Sequence, residues 1–226
     1  MKTKFIVLTL VALFFSNCNT DNNTDNKVQK ENETITEKIE IDLCDDSSFP
    51  YKNRMVTLEV PFIHFDNSEK KGKIVVLDVV ADEVSAIFKE LFEIKFPFEE
   101  ISPISKYDCN DSLSMFKNNT SSYNYRLKLD GKDFSLHSYG TAIDINPKQN
   151  PFLDIACDEQ VSNIGLLPIN SREYINRNEN RMGKDKRRGM AEEVITIFRK
   201  HGFYYWGGDW NCPIDYQHFQ LHYQFL

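Results

Sequence analysis

Two short stretches of the chain carry side chains of the types that hold metal ions. The first, Ser135–Asn146, contains His137 and Asp144 on either side of a Tyr-Gly turn. Asp144 lies between two isoleucines, in a run typical of a buried strand, where an unpaired carboxylate is costly. A cation bound jointly by His137 and Asp144 would remove that cost, so this stretch predicts one half of a metal site.

The second stretch lies near the C-terminus, where the sequence Trp-Gly-Gly-Asp-Trp at 206–210 is followed by Asp215 and His218. His218 can supply a third ligand. Two imidazole nitrogens and one carboxylate oxygen, with a fourth position left to water, form the ligand set of a catalytic zinc site. We therefore predict one Zn²⁺ ion bound by His137, Asp144 and His218, with Asp215 approaching from the outer side.

These motifs also carry a family resemblance. The patterns Ser-x-His-x-x-Gly-x-Ala-x-Asp, Trp-Gly-Gly-Asp-Trp and Asp-x-x-His-Phe occur in this order. Together they resemble the VanY-type zinc D-alanyl-D-alanine carboxypeptidases and the related L-alanyl-D-glutamate endopeptidases, which cut the peptide stems of bacterial cell walls. The resemblance extends from about Arg54 to about Leu221. It implies a hydrolase acting on peptidoglycan stem peptides, but it does not decide between removal of a terminal D-alanine and internal cleavage.

Two further residues are expected to act on the substrate. Asp215 would be the general base, which takes a proton from water and passes it to the leaving amine. Asp215 as a metal ligand or a structural residue is the alternative, although a fourth protein ligand would close the position needed for water. Arg126 follows a stretch closely similar to one in the family. Its fixed charge would stabilise an oxyanion or bind a carboxylate.

Four other residues are candidate substrate contacts: Ser135, Tyr139, Trp206 and Trp210. Ser135 and Tyr139 are expected to shape the loop that carries the first ligand. The two tryptophans are expected to line the cleft, and core packing is an equally good interpretation of both.

A function of a different class remains open. The hedgehog signalling domain, which uses the same fold by resemblance, points to a non-catalytic, zinc-containing module that binds cell wall without turnover. Asp215 discriminates between the two functions, because a module that only binds has no need for a base beside the metal.

The elements that must position these residues mix helices and strands without regular alternation. This pattern is typical of a single α+β domain with a central, largely antiparallel sheet packed by helices. Residues 54–60 and 74–80 alternate or are β-branched, and they predict a hairpin across a polar turn at 66–72. Residues 203–206 and 217–223 predict strands on either side of the second motif. His218 and Gln220 would share one face of the last strand.

Two amphipathic helices are predicted. The first begins with Asp82 as its N-cap and ends before Pro97. Its apolar face consists of Val84, Ile87, Phe88 and Leu91. The second helix ends at Gly202, a natural C-cap. Its apolar residues are Met190, Val194, Ile197 and Phe198.

The N-terminus predicts export. Residues 1–18 have two early lysines before an apolar run that is too short to span a bilayer and right for a secretory signal. The run ends in Phe-Ser-Asn-Cys, which resembles a lipoprotein cleavage box, with ordinary signal cleavage as the alternative. Residues 19–45 are polar and predict a disordered tether, and residues 46–226 form the peptidase domain. We expect a location in the bacterial cell envelope, with a lipid on Cys18 holding the chain to a membrane.

The amino-acid composition limits the kinds of partner that this protein can have. A hydrophobic fraction of 41% supports a packed core, and the net charge of −7 argues against a nucleic-acid partner. We expect a monomer whose partner is the peptide stem. Besides Cys18 the chain has four cysteines, which allow three pairings, and both disulfides and free buried thiols remain open. They are Cys44, Cys109, Cys157 and Cys212.

Overall fold

A computed structural model of the chain describes Cys44 and residues 49–128, 131–154, 165–178 and 187–222. These residues all lie in one compact unit, Thr36–Leu226. The predicted signal segment, Cys18, the tether apart from Cys44, and Cys157 lie outside the described residues. Within the described ranges, no helix has the length and apolar character needed to cross a membrane.

The described residues fold as a single α+β domain, as the mixed pattern predicted. The α-helices are α1 (Ala81–Glu93), α2 (Asp111–Phe116) and α3 (Ile195–Lys200). The strands are β1 (Met55–His64), β2 (Glu69–Leu77), β3 (Pro97–Phe98), β4 (Glu100–Ile101), β5 (Asn119–Thr120), β6 (Ala142–Asp144), β7 (Phe152–Asp154), β8 (Gly165–Leu167), β9 (Tyr205–Trp206), β10 (Ile214–Asp215) and β11 (His218–Gln220). They form sheets with the orders β2-β1-β3, β10-β7-β8 and β6-β11-β9, and the pair β4-β5. Most pairs are antiparallel, but the strands are divided among several small sheets.

The predicted hairpin is present, and both strands extend further toward the turn than predicted. The last three residues of the second predicted strand are instead a 3₁₀ helix, Asp78–Val80. Strands β1 and β2 pair antiparallel from Met55 opposite Leu77 to Ile63 opposite Glu69. The polar turn is shorter than predicted because the backbone N–H of Ser68 donates to the side chain of Asp66 at 2.8 Å. This side-chain turn closes the loop early, so the lysine-rich residues after it continue the strand with solvent-exposed side chains.

Helix α1 covers the hairpin with its predicted apolar face. Val84, Ile87, Phe88 and Leu91 are all fully buried. The N-cap prediction was wrong, since Val80 is the N-cap and Asp82 lies in the first turn. A carboxylate in the first turn still interacts favourably with the helix dipole, which explains why the sequence signal lay two residues from the cap.

The second predicted helix is split. A 3₁₀ turn at Ala191–Glu193 precedes α3, so Met190 and Val194 lie before the α-helix, although both are fully buried. Gly202, with φ +86°, follows the helix end as predicted. Beyond Gly202 the chain enters β9. In the core, Phe198 of α3 stacks on Phe219 of β11 with ring centroids 4.0 Å apart.

Disulfides hold two peripheral segments. Cys44 and Cys109 are bonded, with Cα atoms 5.6 Å apart. Cys212, in the loop after the Trp-Gly-Gly-Asp-Trp sequence, is also disulfide-bonded. These three cysteines are therefore not free thiols.

Candidate metal centre and cleft

The first ligand is held by a short 3₁₀ helix. His137 lies in Leu136–Tyr139, and its backbone N–H donates to the side chain of Ser135 at the N-cap. Gly140 ends this helix with φ +61°, and a Cβ atom there would lie 2.6 Å from the backbone nitrogen of Leu77. A residue without a side chain is therefore required where the motif turns back toward β6.

The other two ligands are brought together by strand register. In the antiparallel pair of β11 and β6, His218 lies directly opposite Asp144. His218 Nδ1 is 3.1 Å from Asp144 Oδ1, and His137 Nε2 is 3.0 Å from His218 Nδ1 and 3.2 Å from Asp144 Oδ2. All three residues are buried, and their ligand atoms lie within 4.8 Å of one another. The structure thus collects the predicted triplet at one point.

The outer hydrogen bonds of both imidazoles favour metal binding. His137 Nδ1 lies 2.7 Å from the carbonyl oxygen of Ser122, and His218 Nε2 lies 3.0 Å from Gln220 Oε1. Carbonyl oxygens only accept, so these outer nitrogens carry the protons and the inner nitrogens of neutral rings present lone pairs. Two nitrogen lone pairs and a carboxylate then lie close together. Because these groups repel one another, a cation between them would stabilise the arrangement. The buried group can bind a metal ion, and its donors fit zinc.

Each charge of this cluster changes the pKa of its neighbours. Burial would raise the pKa of Asp144, but the charge and hydrogen bonds of His137 and His218 hold it well below its usual range. Burial would lower the pKa of His218, yet the hydrogen bond and charge of Asp144 together with the charge of Asp215 raise it above its usual value. The site therefore keeps a carboxylate that attracts cations.

Asp215 lies beside this cluster and is held by the glycine turn before it. A Cβ atom on Gly207 would lie 2.4 Å from the backbone oxygen of Asp215. The indole N–H of Trp206 donates to the backbone oxygen of Tyr216 at 2.9 Å. The motif thus packs its backbone against the strand that carries Asp215, which explains why a glycine and a tryptophan precede it.

Burial makes Asp215 a weak acid. Its Oδ1 is buried without a hydrogen-bond partner among the described residues. Burial, together with the negative charge of Asp144, raises the pKa of Asp215 to about 7. A carboxyl group with such a pKa can exchange a proton near neutral pH.

A cleft of about 730 Å³ opens over the cluster. Its lining includes all three ligands together with Asp215, Arg126, Ser135 and Trp210. Trp206 lies instead in the hydrophobic core, as the core-packing interpretation had it. Tyr139 packs against Phe49 and Tyr51, with ring centroids about 6 Å away. Among the described residues, the cleft lining does not include these two side chains.

Several charged residues of the cleft lining were not predicted from the sequence, and Asp111 is one of them. It is the first residue of α2, and its Oδ2 lies 3.3 Å from Arg126 Nε. Burial raises the pKa of Asp111, and the Arg126 guanidinium opposes that shift. The side chain of Asn110 accepts from the Leu113 N–H at 3.0 Å and caps this helix, which the sequence analysis did not predict. No local pattern showed that this helix end would face Arg126.

The other histidines lie apart from the cluster. His64 is paired with Asp66, and His201 with Glu90. His222 stacks on Tyr205, with ring centroids 5.1 Å apart.

Comparison with known proteins gives a match over the part of the chain that contains the metal-binding group. The family model described as D-alanyl-D-alanine carboxypeptidase matches residues 129–221, less than half of the chain. The match supports a peptidoglycan peptidase family. The matched residues include His137, Asp144, Asp215 and His218, whereas Arg126 precedes them. No curated protein and no solved structure matches the chain.

The raised pKa of Asp215 predicts a pH dependence of stability in the metal-free protein. Because this pKa rises from 3.8 to about 7 on folding, the folded protein holds a proton that the unfolded chain has released, and stability falls as pH rises through this interval. Asp215→Asn should remove this loss. In urea unfolding with a chelator, the variant should match wild type near pH 4 and be more stable above about pH 7. Equal stability at the higher pH would contradict the burial of this carboxyl.

Proposed function

We propose that the protein is a zinc-dependent peptidase that hydrolyses the peptide stems of peptidoglycan. The family match and the metal-binding group support this proposal. The observation that carries it is the buried His-Asp-His cluster on a cleft that also contains Asp215, a carboxyl group with a pKa near neutrality. Carboxypeptidase and endopeptidase activity both fit this arrangement.

His137 Nε2, His218 Nδ1 and the Asp144 carboxylate would hold the ion. A bound zinc ion supplies Lewis acidity, which polarises a peptide carbonyl and acidifies water. The hydrogen bonds from His137 to Ser122 and from His218 to Gln220 fix the ring orientations, so that the inner nitrogens of both rings face the proposed ion. The chain thus presents a preformed ligand set, with no other protein ligand within the cluster of the described residues.

Asp215 would move the proton. Nearby positive charge favours the carboxylate form, so Asp215 would be ionised in the loaded enzyme and able to accept a proton from water at Oδ1. The same atom would then return the proton to the amine of the departing peptide. A module that only binds has no use for a carboxyl group beside the metal with a pKa near neutrality, so Asp215 favours hydrolysis over the binding alternative.

Arg126 would bind the negative charge of the substrate. Asp111 contacts the Arg126 guanidinium at Nε. This contact fixes the orientation of the planar group and leaves its two terminal nitrogens to bind the substrate. A guanidinium held in this way can stabilise an oxyanion or pair with a carboxylate of the stem. Asp111 would therefore act as a positioning residue for Arg126.

The location of the enzyme is a further part of the proposal. The signal-like residues 1–18 and the polar segment that follows them favour export to the bacterial cell envelope. A lipid on Cys18 would hold the domain at a membrane, within reach of peptidoglycan. Mass spectrometry of the protein from cells should then detect an acylated N-terminal cysteine.

Digestion of purified stem peptides tests the activity. The zinc-loaded full chain should either release one alanine from a pentapeptide stem or cut between L-alanine and D-glutamate. Mass spectrometry distinguishes these products. Intact peptides after prolonged incubation with zinc-loaded protein would contradict the proposed function.

The close contact between Gly207 and Asp215 predicts a loss of activity on adding one methyl group. Gly207→Ala should displace the Asp215 backbone, which a Cβ atom would approach to 2.4 Å. The metal ligands lie on other segments, so zinc content should persist while hydrolysis falls by at least tenfold, because a displacement of about 1 Å can cost a factor of about 10². The unfolding temperature should also fall, since overpacking costs about 1–3 kcal/mol.

Gly131→Ala is the matched control for this prediction. A Cβ atom on Gly131 would meet nothing within 4 Å, although its φ of +68° makes a side chain there costly. The control should lose a little stability and keep its activity. If Gly207→Ala were as active as Gly131→Ala, the glycine turn would not be needed to place Asp215.

A further inference from the structure

The proposed mechanism leaves one cation of the cleft without a role. Lys128 lines the cleft, two residues after Arg126. The backbone here pairs with the segment that precedes His137: Lys128 N–H donates to Asp133 O at 2.8 Å, and Ser135 N–H donates to Arg126 O at 3.0 Å. Side chains alternate along such an extended segment. Arg126 and Lys128 therefore face the cleft together.

The two cations occupy different depths of the cleft. The side chain of Arg126 is 33% exposed and contacts Asp111, whereas that of Lys128 is 52% exposed. Two residues of extended chain span about 7 Å. Lys128 thus lies toward the open end of the cleft, about 7 Å along the strand from the arginine that serves the reacting group.

The ion pair of Lys128 with Asp133 is weak. Lys128 Nζ lies 3.9 Å from Asp133 Oδ2, and the Asp133 side chain is 73% exposed. Exposed pairs of this kind contribute only about 0–1 kcal/mol. A substrate carboxylate that arrives in the cleft can therefore take the place of Asp133 at little cost. Arg126 is already paired with Asp111 inside the cleft, so Lys128 is the more available of the two charges.

We propose that Lys128 determines specificity by binding a second carboxylate of the substrate, about 7 Å along the peptide from the group that Arg126 contacts. The inference rests on the proposed function and names its substrate class more closely. The preferred stem peptides carry a free carboxylate at this second position, about 7 Å from the group that Arg126 contacts. Stems in which this carboxylate is an amide lose the ionic contact and bind less well.

A matched pair of peptides tests this inference. The two stem peptides are identical except that this second carboxylate is free in one and amidated in the other. Hydrolysis is measured as kcat/KM with the zinc-loaded full chain. Binding is measured by calorimetry with the Asp215→Asn chain, which retains the cleft without turnover. The variants are Lys128→Gln, which removes the charge, and Lys128→Arg, which keeps it.

Lys132→Gln is the control for net charge. Lys132 lies four residues after Lys128, and it is not part of the cleft lining among the described residues. The wild type should favour the free carboxylate about fivefold, as expected for one partly exposed ion pair. Lys128→Gln should reduce this ratio to about one, whereas Lys128→Arg and Lys132→Gln should keep most of it.

Failure of this inference can be told apart from failure of the proposed function. A preference that survives in Lys128→Gln, or that the wild type lacks while it hydrolyses both peptides, would overturn the role of Lys128 and leave the peptidase intact. A Lys128-dependent binding preference without hydrolysis by the wild type would support the role of Lys128 and contradict the peptidase. Absence of binding and of hydrolysis would overturn both.

Discussion

Asp215→Asn should abolish most hydrolysis while the protein still binds one zinc ion. Asparagine has the same shape as aspartate but cannot accept a proton at this position. Removal of a general base costs about 10²–10⁴ in rate, so kcat should fall by roughly this factor with little change in KM. Metal content, measured by inductively coupled plasma mass spectrometry, should equal that of wild type, because Asp215 is not one of the three clustered ligands.

The control is a second aspartate of the same region. Asp209 is 57% exposed at its side chain and pairs with Arg199 at 2.6 Å. Asp209→Asn should therefore keep full activity. An Asp215→Asn protein with activity within a few-fold of this control would rule out the proton-transfer role. A loss of zinc in Asp215→Asn would instead make Asp215 a ligand, the alternative left open by the sequence.

His137→Ala should lose metal and activity together. The substitution removes one of three ligands and leaves His218 and Asp144 without the geometry for tight binding. Zinc at 100 times its dissociation constant stabilises a folded protein by about 3 kcal/mol. The wild type should therefore unfold at a clearly higher temperature with zinc than with chelator, and the variant should show no such difference.

His64→Ala is the matched control for the loss of an imidazole. His64 pairs with Asp66 and Glu99 at the end of the hairpin, outside the metal cluster. This variant should bind zinc as the wild type does. A His137→Ala protein that still bound one zinc ion with unchanged affinity would show that the metal lies elsewhere.

The ligand triplet could be predicted from sequence because the chemistry is local to two motifs. The spacing in the first motif fixes a turn at Gly140, and the alternation after Asp215 puts His218 on the face opposite the buried Phe219. The register that sets His218 opposite Asp144 then completes the cluster. The buried face of α1 could also be predicted from the sequence, because four apolar residues at helical spacing indicate one face of an amphipathic helix.

Other features depend on contacts between distant segments, which a single sequence does not display. Asp111 and Arg126 lie in separate segments and meet only because α2 begins at the cleft. Trp206 could be assigned to either the cleft or the core, and the core position depends on its packing against Phe219. The roles of Ser135 and Trp210 toward substrate stay predictions. The division into several small sheets likewise follows from long-range pairing that no local pattern specifies.

Crystallography of the zinc-loaded full chain, with anomalous diffraction recorded at the zinc edge, tests the metal centre most directly. We expect a single anomalous peak bonded to His137 Nε2, His218 Nδ1 and the Asp144 carboxylate, with no fourth protein side chain as a ligand. A peak at another position, or one whose remaining coordination position is filled by Asp215 or another side chain, would contradict this expectation.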